Sequence, residues 1–151
     1  MKLSSPSFMQ GGKIPAKFTC DGDNISPELN ISDVPHYAAC LVLIMDDPDV
    51  PVSVRADQNW DHWIVFNIPP RTSRIPENCQ PKGVPGKNTG GDLCYQGPCP
   101  PDREHRYFFK LYALNTELAL RPGATKAEVE KAMEGHIMEQ TELMGVYQRN
   151  N

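Results

Sequence analysis

The chain has 151 residues and a formal net charge of −4, with no long run of one sign. That length suits a single domain spanning 1–151, large enough to bury a genuine core. The charge argues against a nucleic-acid scaffold, which usually carries a basic stripe. A hydrophobic content of 39% together with 15 prolines fits a loop-rich protein of many short strands. No run approaches the length of a membrane span. Met1-Lys2-Leu3-Ser4-Ser5-Pro6 is not followed by the apolar segment of an export signal, so the expected compartment is the cytoplasm. Five cysteines leave at least one unpaired, and without a signal the default is reduced thiols.

Residues 8–19 open the chain with a polar, glycine-containing approach and one short strand expected over 16–19. Asp21-Gly22-Asp23-Asn24 begins like a calcium loop, but Ile25 stands at the third ligand position and no glycine follows; a tight turn is the better reading. A short strand is expected over 29–34. The run Ala38-Ala39-Cys40-Leu41-Val42-Leu43-Ile44-Met45 is continuously apolar, as in a strand covered on both faces, and Cys40 within it reads as a small buried hydrophobe. It stops at Asp46-Asp47-Pro48-Asp49-Val50-Pro51, placing three carboxylates at its C-terminal end.

After a polar loop, His62-Trp63-Ile64-Val65-Phe66-Asn67-Ile68 reads as a second strand, entered through Trp60 and Asp61 and ended by Pro69-Pro70. Residues 72–77 have room for one turn of helix or strand. Gly86-Lys87 invites a phosphate-loop reading, but Pro81 occupies the first glycine position and no strand leads in. Gly97-Pro98-Cys99-Pro100-Pro101 forms a stiff loop, because its prolines lack the N–H of a ladder. From His105 a third strand alternates, with His105, Tyr107, Phe109, Leu111 and Ala113 on one side and Arg106, Phe108, Lys110, Tyr112 and Leu114 on the other. Arg106 reads as a solvent-facing or ion-paired residue. Thr125-Lys126-Ala127-Glu128 is a capping box opening the one clear helix, and Gly135 supplies its stop. Residues 136–147 fit either helix or strand.

If the first of these strands pairs antiparallel with the other two, its exit lies beside both their entrances. Asp47, Asp49, His62 and His105 then meet at one rim. Two histidines and two carboxylates make a plausible metal-ligand set, although Asp-Pro-Asp-x-Pro is also a stiff turn whose carboxylates accept backbone N–H bonds. Carboxylates beside a histidine favour the imidazolium. The rim would then offer N–H donors from His62, His105 and the backbone near Gly97 to a phosphate or carboxylate oxygen. A rival reading makes Cys99 a hydrolase nucleophile, with His105 or His62 as base. Against it, Cys99 is flanked by prolines and stands at no helix start.

Several of these segments together resemble the phosphatidylethanolamine-binding protein family: Asp47-Pro48-Asp49-Val50-Pro51, Trp60-Asp61-His62-Trp63 with Asn67, Gly97-Pro98-Cys99-Pro100-Pro101 and His105-Arg106-Tyr107. Cys20-Asp21-Gly22-Asp23-Asn24-Ile25-Ser26-Pro27-Glu28-Leu29 resembles the N-terminal pattern of the family's bacterial and archaeal branch. The resemblance implies a mainly β fold, an antiparallel sandwich of two sheets with Greek-key-like connections and one or two short helices, with a strand over 136–147. It implies a pocket without metal or cofactor that takes phosphate-like anions and phosphorylated head groups, walled by Asp47, Asp49, Pro51, Trp60, His62, Gly97, Pro101, His105 and Tyr107. It implies a binding protein and not an enzyme, a protein partner such as a kinase or protease, and a homodimer, for which the apolar residues of 138–147 are candidates.

Overall fold

A computed structural model describes residues 1–150. Its strands are β1 (Lys2–Ser4), β2 (Leu29–Ser32), β3 (Cys40–Asp47), β4 (Trp60–Ile68), β5 (Arg74–Ile75), β6 (Val84–Pro85), β7 (His105–Leu114) and β8 (Ile137–Tyr147), joined by one α-helix, α1 (Lys126–Met133). Two sheets, β1-β2-β5 and β6-β4-β3-β7-β8, are built from antiparallel strand pairs. The chain leaves β4 on one flank of β3 and returns as β7 on the other, which is the expected Greek-key-like crossing. No helix among the described residues is long and apolar enough to cross a membrane.

The continuous apolar run becomes β3, the central strand of the larger sheet, and all eight of its residues are buried. Leu41, Leu43 and Met45 face the smaller sheet in a core shared with Leu29, Ile31, Trp63, Phe109 and Leu111. Cys40, Val42 and Ile44 face the other way, into a second core with Phe66, Val129 and Met133 under α1. Both faces are thus covered, which is why this strand lacks polar alternation. In that apolar setting burial pushes the Cys40 thiol up to about 11. The β7 alternation holds residue by residue, with His105, Tyr107, Phe109, Leu111 and Ala113 buried.

Thr125 caps α1, accepting from Glu128 N while the Glu128 side chain reaches back, and Gly135 follows at φ +80°, the left-handed turn that a helix end uses. Of residues 136–147, Ile137–Tyr147 form a strand and not a helix, while His136 stays in the turn after α1. The packing of this strand explains Gly145, where a Cβ would stand 2.6 Å from Ile14 Cγ1 and 2.8 Å from Phe8 Cε2. The outer edge of β8 is partly closed by the N-terminal segment, since Gly11 N–H donates to Met144 O and Ile14 N–H to Val146 O. The strand expected over 16–19 is instead a turn of 3₁₀ helix, Ala16–Phe18. Pro15 starts it with its fixed φ, and Phe18 N–H and Thr19 N–H close back onto Pro15 O and Ala16 O. The segment around 72–77 contributes only the two-residue β5.

Candidate functional site

The three consecutive polar ends of the sequence do meet at one rim, because β3 pairs antiparallel with both β4 and β7. Strand parity separates the carboxylates of β3. Asp46 points to the α1 side, where it is held by Lys110 at 3.0 Å and Lys126 at 3.1 Å. Burial works against the Lys126 ammonium, but Asp46 and Asp61 together hold its pKa above the ordinary value. Asp47 points to the opposite face and accepts from His105 Nδ1 at 2.6 Å and from Asp49 N at 2.7 Å. Asp49 is bound by Arg106 through Nε, a terminal nitrogen and the backbone N–H, at 2.9–3.0 Å. These hydrogen bonds hold the Asp49 carboxyl below its ordinary range.

A β-bulge aims His62. Met45 pairs with Trp63, but Asp46 pairs with Asp61, so one step along β3 spans two along β4 and His62 takes the extra position. Asp61 thereby joins Asp46 on the Lys126 side, at 3.1 Å from that ammonium. His62 is thrown onto the Asp47 face beside Tyr107, its ring edge-on at 5.3 Å between centroids. Bulges commonly re-aim side chains at sites of this kind.

The result is a cavity of about 250 Å³ lined by Asp47, Val50, Val54, Trp60, His62, Gln96, Gly97, Cys99, Pro100, Pro101, His105 and Tyr107. The N–H donors expected of its wall are already engaged. His62 Nδ1 lies 2.6 Å from the Gln96 carbonyl oxygen, which only accepts, so Nδ1 carries the proton. Burial lowers the His62 pKa, with the Gln96 bond opposing. His105 Nε2 lies 2.7 Å from Asp102 Oδ1, while Nδ1 lies on Asp47. Ionised carboxylates only accept, so both contacts together need a ring with two N–H groups, the imidazolium. The His105 bond is the largest cause holding the Asp102 carboxyl below its ordinary range. Gly97 N–H donates to Asn24 Oδ1 at 2.9 Å, and Trp60 Nε1 donates to Gln96 Oε1 at 2.9 Å. The Tyr107 hydroxyl is different: it is buried and has no hydrogen-bond partner. Burial first, and then Asp47, push its pKa up, so it remains a donor. The donors expected of His62, His105 and Gly97 are therefore taken by the protein, and the free one is a phenol.

A family model described as phosphatidylethanolamine-binding protein matches residues 4–148. The chain belongs to the phosphatidylethanolamine-binding protein family. UPF0098 proteins of Chlamydia trachomatis and Methanothermobacter thermautotrophicus are 49% and 48% identical to it, each aligned over 99% of this chain and over 100% and 99% of their own. The crystal structure of CT736 from Chlamydia trachomatis, described as a homologue of this family, superposes with a TM-score of 0.95 at 49% identity, covering 98% of this chain and 97% of that one. Escherichia coli YbcL, described as a new member of the mammalian family, gives 0.88 at 28% identity, over 99% and 98%.

Of the wall that family resemblance implied, Asp47, Trp60, His62, Gly97, Pro101, His105 and Tyr107 line the cavity. Asp49 and Pro51 do not. Asp49 is turned to Arg106, and Pro51 O accepts from Val54 N and Arg55 N in the turn that brings Val54 to the cavity. Val50, Val54, Gln96 and Pro100 were missed, as was Asp102 behind His105. Asp102 lies only three residues before His105, which is the local signal that pointed to it. Among the described residues, no group of three or more His, Cys, Asp or Glu side chains is placed to hold a metal ion.

The cysteines correct two expectations. Cys20 and Cys99 form a disulfide, with Cα atoms 5.4 Å apart, inside the bridging range. They are not reduced thiols, and a bridged Cys99 is no thiolate nucleophile, so the hydrolase reading loses its central atom. Cys40, Cys79 and Cys94 are free. The bridge ties the Gly97–Pro101 wall to the Cys20 turn, where Cys20 N–H also donates to Pro98 O at 3.1 Å. That turn is itself fixed from β8, because Tyr147 Oη and Arg149 both bond Asp21.

Gly97 sits where these loops touch. An added Cβ would run into Asn24 Oδ1 and the Phe18 carbonyl oxygen, and the latter is backbone that has little freedom to move. Gly97→Ala is expected to displace the wall and break the Asn24 bond, destabilising the protein by about 1–3 kcal/mol. Amide exchange at positions 97 and 99, where this proline-rich loop has N–H groups, should accelerate in the variant, and unchanged exchange would mean that the loop absorbs the methyl elsewhere.

Proposed function

We propose that the protein binds a small phosphate-like anion or phosphorylated head group in this cavity and converts it to nothing. The observation that carries the reading is the buried, unpartnered Tyr107 hydroxyl at the wall of a cavity shared with His62 and His105. A buried polar group left unpaired costs stability, and an acceptor on a ligand relieves that cost. The cavity is smaller than the usual range for drug-sized ligands, which suits a head group. Val50, Val54, Trp60 and the two prolines give an apolar rim for its carbon atoms. The carboxylate of Asp102, 40% exposed on its loop, rests on a His105 that is 1% exposed. An anionic oxygen of a ligand can take that place, with Asp102 swinging outward. The family description names a phospholipid, whose free head group is a phosphate monoester of a size that suits this cavity.

The compartment we propose is one in which a Cys20–Cys99 bridge persists, an oxidising space or a disulfide-rich cytoplasm of the thermophile kind, in place of the reducing cytoplasm first expected. Contact with a kinase or protease would use the cavity mouth, where Val52 and Val54 are exposed. A homodimer would use Ile137 and Met138, since Leu143 and Tyr147 belong to the core.

Tyr107→Phe keeps the ring and removes the donor. Calorimetry with O-phosphoethanolamine should show affinity falling roughly 10- to 150-fold, the loss of one hydrogen bond to a charged group, about 1.5–3 kcal/mol. Equal binding by the variant would place the ligand elsewhere.

A further inference from the structure

The neighbour of the unpartnered phenol is an acceptor, and the pair selects more than negative charge. His62 Nδ1 bears its hydrogen because it faces a carbonyl oxygen at 2.6 Å. In the neutral ring the other nitrogen, Nε2, is then a bare lone pair. The His62 side chain lines the cavity, edge-on to the Tyr107 ring at 5.3 Å. The cavity wall thus sets a buried donor without a partner, the Tyr107 hydroxyl, beside an acceptor, His62 Nε2. A fully ionised phosphate has only acceptors, so it would satisfy the phenol and set an oxygen lone pair against the Nε2 lone pair. Around these two groups the charges are mostly negative: Asp46 and Asp47 from β3, Asp49 in the following turn, Asp61 on β4 and Asp102 in the loop, with His105 from β7 and the phenol of Tyr95. The basic side chains of this rim already face carboxylates: Lys110 and Lys126 on Asp46, Lys126 also on Asp61, Arg106 on Asp49, Arg103 on Asp102 and Arg55 on Asp57.

Resting on the function proposed above, we infer that the site takes a phosphate monoester in its singly protonated form, the P–OH donating to His62 Nε2 while a P–O oxygen accepts from the Tyr107 hydroxyl. A monoanion also adds one negative charge and not two to this acidic surrounding. Burial acts in the same direction, since it keeps the His62 ring neutral.

The test is a calorimetric titration of the unaltered protein with methyl phosphate, dimethyl phosphate and sulfate at pH 6 and pH 8. The second ionisation of a phosphate monoester lies near pH 6, so its monoanion fraction falls roughly 50-fold between the two conditions. Methyl phosphate is expected to bind at pH 6 and to weaken by about that factor at pH 8. Dimethyl phosphate, a monoanion with no P–OH, and sulfate are expected not to bind at either pH. The phosphorus resonance of bound methyl phosphate at pH 8 should sit at the position of the protonated ester. Dimethyl phosphate or sulfate binding as well as methyl phosphate would overturn proton selection and leave the anion pocket standing. If dimethyl phosphate bound with the same pH dependence, a protein group and not the ligand would be titrating, and the inference would fail. No binding by any of the three would overturn the anion reading and this inference with it.

Discussion

Asp47→Ala is expected to lower unfolding stability by about 3–5 kcal/mol, the usual result of removing one partner of a buried charge pair. Asp47 and His105 are 4% and 1% exposed in their side chains and lie 2.6 Å apart. Without Asp47, the buried imidazolium keeps only Asp102, and the Asp49 N–H loses its acceptor. With a urea slope of about 2 kcal/mol/M, the unfolding midpoint should drop by roughly 2 M. Asp49→Ala makes the contrast. Its partner Arg106 is 53% exposed, and pairs of that kind contribute about 0–1 kcal/mol. If the two variants unfolded at the same urea concentration, the Asp47–His105 contact would not be the buried pair described here.

The fold was largely legible, and so was the meeting of polar residues at one rim. An apolar run of strand length that ends in carboxylates has few places to go except the centre of a sheet, and the strict alternation from His105 to Ala113 fixed which side chains of β7 face inward. What placed the site was therefore local pattern plus one assumption, that the central strand runs antiparallel to its two neighbours. The capping box at Thr125 was local in the same way.

What was not legible was which partner, often distant in the chain, already holds each polar group. The bulge that turns His62 to the Asp47 face inserts one residue into a ladder and leaves no mark in composition. The engaged donors depend on partners far away: Gln96 for His62 across 34 residues and Asn24 for Gly97 across 73. Pattern reasoning counted those N–H groups as available because it reads what a residue can do and not what already holds it. Asp49 was misplaced for the same reason, since both Asp47 and Asp49 belong to one stiff turn and only the neighbouring Arg106 decides which of them leaves the cavity.

The cysteine bridge is the longest-range case and gives the second large effect. Cys20 and Cys99 are 79 residues apart, so the cross-link removes a large loop from the unfolded ensemble. Chain-entropy reasoning gives roughly 4 kcal/mol for a closure of this size. Cys20→Ser/Cys99→Ser is thus expected to melt about 10 °C below the parent, since 1 kcal/mol moves the midpoint by roughly 2–4 °C at this chain length. The intact mass of the parent under non-reducing conditions should be two hydrogens below that of the fully reduced chain. The local consequence distinguishes the bridge from a general loss of stability. The loop it fastens carries Gly97, Pro101 and Asp102 and therefore the contact on His105 Nε2. Amide exchange should rise at 20–24 and at positions 97, 99 and 102 in the variant while the centre of β3 stays protected. Five free thiols in the non-reduced protein, or a melting temperature indifferent to the double substitution, would remove the bridge from the account and return Cys99 to the cavity wall as a free thiol.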